Sequence, residues 1–128
     1  MNKLWAPWRM SYITGKKEKG CVFCRAARFP EKNYVISKNK LSLAMLNIYP
    51  YNNGHVMIAP LRHVAKIEKL SQAEMLDIFK ALKETTALLD KKLKPRGYNI
   101  GINLSADAGA GVTGHLHIHI VPRFRGDT

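Results

Sequence analysis

His115-Leu116-His117-Ile118-His119-Ile120-Val121 is the stretch of this chain that decides its fold. Polar and apolar residues alternate with a period of two. That is the signature of a β-strand, in which residues two apart share a face and lie about 6.6 Å from one another. The spacing predicts three imidazoles in a row on one face of a strand, with Leu116, Ile118 and Ile120 turned to a core. Pro122 is expected just past the end of the strand.

The segments upstream extend this reading. Ser105–Gly114 is a glycine-rich loop, and Tyr98–Leu104 reads as the strand before it. Ser71 and Glu74 have capping-box spacing and open a helix. Met75, Ile78, Phe79, Leu82, Leu89 and Leu93 form its apolar stripe, and Pro95 and Gly97 close it. His55–Ala59 reads as a strand ended by Pro60, after a turn-rich run from Asn47 to Gly54. Tyr34–Ser37 and Leu41–Leu46 are short apolar runs joined at Lys38-Asn39-Lys40, a hairpin pattern. Cys21 to Phe29 fits a short helix or turn stopped by Pro30. The prediction is an α+β domain with a mostly antiparallel five-stranded sheet and one long helix packed on it.

A chain of 128 residues suits one domain. Its 46% hydrophobic and 23% charged residues exclude a disordered chain. No run approaches the roughly 20 apolar residues of a membrane helix. Residues 1–12 lack the apolar core of a signal peptide, so a cytoplasmic protein is expected. The net charge is +12. Residues 1–40 carry 10 basic and 2 acidic side chains, a net +8, alongside Trp5, Trp8 and Tyr12. Residues 1–20 read as a basic arm, and residues 21–128 as the domain. A basic, aromatic segment suits nucleic acid, but no nucleic-acid motif accompanies it. A solvated surface that attracts small anions is the plainer account.

A row of three histidines has little structural purpose, and clustered titratable groups mark sites. Two chemistries fit it. His115, His117 and His119 could bind zinc as neutral imidazoles, in a zinc-dependent hydrolase. Alternatively, one imidazole could attack phosphorus while its neighbours hold the anion. Gly109, Gly111 and Gly114 would let backbone N–H groups converge on a phosphate, or simply form a turn. Gly109–Gly114 also spells G-x-G-x-x-G, but it runs into a strand rather than a helix, which excludes a dinucleotide-binding turn. Cys21 and Cys24 make one C-x-x-C pair, open to three readings: metal ligands, a redox couple or two buried apolar side chains.

The His-φ-His-φ-His-φ-φ pattern of His115–Val121, where φ is apolar, resembles the histidine triad family of nucleotidyl hydrolases and transferases. The run from Asn47 to Pro60, with its Gly54-His55 pair, resembles that family's nucleoside-binding strand and turn. The opening Leu4-Trp5-Ala6-Pro7-Trp8-Arg9-Met10 and the Cys21–Cys24 pair resemble the bacterial branch typified by diadenosine tetraphosphate phosphorylase. The resemblance implies that His117 attacks the α-phosphorus of a diadenosine polyphosphate or nucleotidyl amidate, giving a nucleotidyl-histidine. His119 would assist the leaving group, with His55 close by. Asn47 would meet the ribose, and Asn103, Gly111, Val112 and Thr113 would line the substrate site. Some relatives carry Gln-Ser or Gln-Thr where this chain has Gly111 and Val112, which leaves Thr113 as the nearby hydroxyl. Zinc-bearing relatives imply a structural zinc on Cys21, Cys24, His63 and His115. The family also implies a homodimer with joined sheets and no organic cofactor. A non-catalytic nucleotide-binding module is the remaining alternative.

Overall fold

The computed structural model describes residues 20–47, 54–104 and 114–126. The basic arm, apart from Gly20, lies outside the described residues, as do Gly111, Val112 and Thr113. In chain order the elements are α1 (Val22–Arg28), a 3-10 turn (Pro30–Asn33), β1 (Val35–Lys38), β2 (Ser42–Leu46), β3 (Val56–Pro60), a 3-10 turn (Ile67–Lys69), α2 (Gln72–Leu93), β4 (Gly97–Ile102) and β5 (Ile118–Arg123). The strands form one antiparallel sheet in the order β1-β2-β3-β5-β4. This is the expected α+β architecture.

The sheet has two covered faces. Ala44, Val56, Ile58, Ile118 and Ile120 pack with Ile78, Ala81 and Leu89 of the long helix. On the other face Leu43, Met45 and Ala59 pack with Phe23 and Ala26 of α1. Alternation along β2 and β3 sends successive side chains to these two cores, so both strands are apolar almost throughout.

Helix α2 starts at the foreseen capping box. The Ser71 hydroxyl accepts from the Glu74 N–H at 3.0 Å, and the Glu74 carboxylate accepts from the Ser71 N–H at 2.9 Å. Its stripe differs from expectation. The buried face is Glu74, Ile78, Ala81, Thr85 and Leu89. Met75 is 45% exposed, Phe79 is 62% exposed and Leu93 lies at the surface. The small Ala81 and Thr85 are on the face turned inward. Glu74 is buried because Arg62 pairs with both of its oxygens, at 2.8 and 2.9 Å.

Two further boundaries shift. The last strand begins at Ile118, so His115 and His117 lie on the irregular segment leading into it. Pro122 belongs to β5, and Pro60 belongs to β3. Pairing between β3 and β5 runs from Ile58–Ile118 to Val56–Ile120, so at Pro122 the strand is paired on one side only, opposite Tyr98. A proline is tolerated at such a place. Gly54, which leads into β3, has φ +79°, and a Cβ there would meet Leu93 at 2.5 Å and Pro122 at 3.1 Å. Only glycine suits that backbone, and it delivers His55 to the start of the strand.

Candidate active site

His119 is the one triad histidine within β5. It pairs with Met57 on one side and Gly101 on the other. It therefore shares the α1 face of the sheet with Met57, while Ile118 and Ile120 face α2. The alternation read from the sequence holds for these residues, and the imidazole row lies on the side away from the long helix. Gly101 was not singled out by sequence reasoning. A Cβ there would have no described atom within 4 Å, so the position beside His119 is open. A glycine inside a strand was the available signal.

The three triad rings take different partners. Buried His115 donates from Nε2 to the Pro60 carbonyl at 2.7 Å. Its Nδ1 lone pair then faces Cys21 Sγ at 3.2 Å, Cys24 Sγ at 3.7 Å and His63 Nδ1 at 3.2 Å. His117 donates from Nδ1 to the His115 carbonyl at 2.9 Å, which leaves its Nε2 as the lone-pair nitrogen. His119 Nδ1 lies 2.9 Å from His55 Nε2, and His55 Nδ1 lies 3.4 Å from the Asn47 amide nitrogen. An amide nitrogen only donates, so along this chain of contacts His55 donates onward from Nε2 and the His119 proton sits on Nε2. His117 and His119 thus carry opposite tautomers, one offering a lone pair and its neighbour an N–H. Their ring centres are 4.8 Å apart.

Burial shapes the electrostatics. It lowers the pKa of His55, with a smaller contribution from His117, and it lowers that of His117 against the opposing bond to the His115 carbonyl, with the His115 imidazole adding a little. His119 is pushed down to about 4 by burial, then by His117 and His55. Neutral imidazoles are the form in which one can attack and another can donate. At Cys21 burial pushes the thiol up, but hydrogen bonds from His115 and nearby backbone outweigh it and bring the group to about 6. Burial and the Cys21 charge raise Cys24.

Cys21, Cys24, His63 and His115 form the one group of metal-ligating side chains found among the described residues, with ligand atoms all within 4.8 Å of one another. Cys24 Sγ lies 3.5 Å from His63 Nδ1. Tetrahedral zinc, with sulfur at about 2.3 Å and nitrogen at about 2.0–2.1 Å, spaces its ligand atoms roughly 3.3–3.8 Å apart. The His115 proton is committed to Pro60, so a bare ring nitrogen points into the cluster, the arrangement a metal-bound histidine adopts. The donor set fits a closed, four-coordinate ion. His117 and His119 do not point into it, so the three triad rings do not converge on one ion.

The structure thus brings His55, His117, His119 and Asn47 into one chain of contacts, and the two cysteines with His63 and His115 into another. Asn103 is exposed just after β4. Phe23, on the spacer between the cysteines, is 1% exposed and touches both groups. Sequence reasoning passed over it. Its ring centre lies 5.2 Å from His115 and 4.7 Å from His117.

The chain matches the model of the HIT domain over residues 29–126. It is 34% identical over 137 aligned positions to a protein of Mycobacterium tuberculosis (strain CDC 1551 / Oshkosh) named AP-4-A phosphorylase, spanning 99% of this chain and 70% of that one. It is 35% identical over 101 positions to the asymmetrical bis(5'-nucleosyl)-tetraphosphatase of Schizosaccharomyces pombe, spanning 79% of this chain and 55% of the relative. The crystal structure of a HIT family member from Bacillus subtilis superposes with a TM-score of 0.76 at 25% identity, over 85% of this chain and 77% of that one. The match to the family model takes in most of the sequence and all three histidines of the triad, and the chain belongs to the HIT domain family.

Proposed function

We propose that this protein is a nucleotidyl hydrolase or transferase acting at the α-phosphate of a dinucleoside polyphosphate or nucleotidyl amidate. The observation that carries the reading is the placement of His117, whose Nδ1 is held by the His115 carbonyl so that Nε2 keeps its lone pair, with the His119 ring centre 4.8 Å away. His117 Nε2 attacks the α-phosphorus, and a P–N bond forms as the bond to the leaving group breaks. The leaving group departs with the bonding electron pair, a polyphosphate as its anion and an amine with a proton from water, while the His119 Nε2–H hydrogen-bonds the leaving atom. Water or inorganic phosphate then attacks the nucleotidyl-histidine: a P–O bond forms, the P–N bond to His117 breaks, the proton of the attacking oxygen passes to solvent, and the nucleotide is released. The N–H of His119 stabilises charge as it develops on phosphate oxygens. Asn47, Asn103 and the loop that contains Gly111, Val112 and Thr113 hold the nucleotide. Relatives named as a phosphorylase and a tetraphosphatase support the reaction class.

Cys21, Cys24, His63 and His115 hold a structural zinc, which ties the start of α1 to the segment that precedes β5. Such thiolate ligands suit a reducing compartment, the cytoplasm. No helix among the described residues is long and apolar enough to cross a membrane. Two copies join at β4, an edge strand whose Ile100 is 47% exposed, to continue the sheet.

The test is a panel of dinucleoside polyphosphates and nucleotidyl amidates, with and without inorganic phosphate, read by product mass. Protein quenched under alkaline denaturing conditions should carry the mass of one nucleotidyl group. His117→Ala should lose both turnover and adduct while keeping its fold. Full activity in that variant would remove His117 as the nucleophile.

A further inference from the structure

We propose that Phe23 is a positioning residue: carried between the two cysteines of the metal cluster, it clamps the imidazole of His117 and so makes the order of the reacting nitrogen depend on the cluster. The inference rests on the function proposed above for His117 and goes beyond it by giving the metal-binding residues a task at the reacting centre.

Phe23 is the second of the two residues between Cys21 and Cys24, in the first turn of α1. Two cysteines held to one centre leave this turn little freedom. The Phe23 ring is tilted 33° to His117 and 45° to His115, with its body in the core formed by Ala26, Leu43, Met45 and Ala59. His117 is therefore bounded on three sides. Its Nδ1 is held by the His115 carbonyl, Phe23 lies against its ring, and His119 meets it edge-on at 70°. Rotation about χ2 would swing Nε2 away from its place and break the bond to the His115 carbonyl, and the Phe23 ring adds its bulk against that rotation. The cluster acts on the same imidazole from two directions. Cys21 and Cys24 anchor Phe23, and His115, whose own side chain enters the cluster, supplies the carbonyl that selects the tautomer.

An aromatic ring is required for the clamp. Leucine fills the core but leaves the flat side of the imidazole uncovered, whereas tyrosine and tryptophan keep a planar face. Displacement of a reacting atom by about 1 Å costs on the order of 10²-fold in rate. Phe23→Leu should therefore lower kcat by roughly 10- to 100-fold while KM stays within about twofold, with Phe23→Tyr recovering most of the loss.

The decisive measurement needs no substrate. In zinc-loaded protein labelled with ¹⁵N-histidine, at alkaline pH where the imidazoles are neutral, His117 should show one tautomer, with Nδ1 protonated and Nε2 bare. In folded Phe23→Leu protein with its full metal content, the two nitrogen shifts should move toward one another, because an unclamped ring turns away from the His115 carbonyl and loses the bond that selects its tautomer. Removal of the metal by a chelator should cause the same averaging in the unsubstituted protein. An unmixed tautomer in Phe23→Leu, or in the metal-free protein, would overturn the inference. So would a rise in KM with kcat unchanged. These outcomes stand apart from failure of the proposed reaction, which is read from the adduct and from His117→Ala.

Discussion

His55 Nε2 lies 2.9 Å from His119 Nδ1, and this contact joins the first residue before β3 to the start of β5. Two ring nitrogens at that distance share one proton, so the state of His55 decides which nitrogen of His119 carries the other. The Asn47 side chain, 3.4 Å from the far nitrogen of His55, orients the pair.

Breaking this relay should slow the reaction without dissolving the fold. His55→Ala is expected to lower kcat by about 10²-fold, in the range of general acid–base contributions. Asn47→Ala, which removes one hydrogen bond, should cost on the order of tenfold. The C2 proton of His119 should titrate near 4, far below the ordinary imidazole value, because burial and its two imidazole neighbours disfavour the charged ring. An NMR titration measures it directly, and an unperturbed value would contradict the enclosed site.

Metal content separates the two zinc arrangements raised by the sequence. Cys21→Ala and His63→Ala should fall from about one zinc per chain to nearly none and melt at lower temperature, because ligand binding is coupled to folding. His117→Ala should keep its zinc. Elemental analysis decides, and zinc lost with His117 but kept without Cys21 would restore the triad as the ligand set.

The Arg62–Glu74 pair predicts a pH dependence of stability. Arg62, then the Ser71 N–H, hold the Glu74 carboxyl at about 2 in the folded chain, against an ordinary value of 4.5. The unfolded state therefore binds the proton first. The stabilisation is present in full above about 4.5 and is lost as pH falls toward 2. Glu74→Gln should flatten the melting temperature across that window relative to the unsubstituted chain.

Edge strand β4 should carry the subunit contact. Ile100→Lys places a charge at the exposed centre of this strand, a device that opposes strand-to-strand pairing. Sedimentation should show a shift from dimer to monomer with the far-ultraviolet spectrum retained. A dimer that survives unchanged would place the contact elsewhere.

Much of the fold could be read from short-range pattern. The alternation through His119 and Ile120 marks a strand, Ser71 and Glu74 mark a helix start, and the Gly54-His55 step marks the entry to β3. Each depends on groups only a few residues apart. The α2 stripe misled at Met75 and Phe79 because apolar spacing specifies a helical face without saying how a sheet will meet it. Ala81, Thr85 and the Arg62-paired Glu74 are buried instead.

By itself the sequence determined the residue types for both chemistries and the face that His119 takes. Tertiary structure alone decided how they are used. Cys21 and His115 are 94 residues apart and meet because α1 folds across the sheet. That same packing sets Phe23 against His117. The tautomers follow from the carbonyls of Pro60 and His115 and from the ring of His55, partners that exist only once the strands are in register. Periodicity reports the local path of the chain. Which nitrogen holds a proton depends on neighbours that only the folded chain brings within about 3 Å.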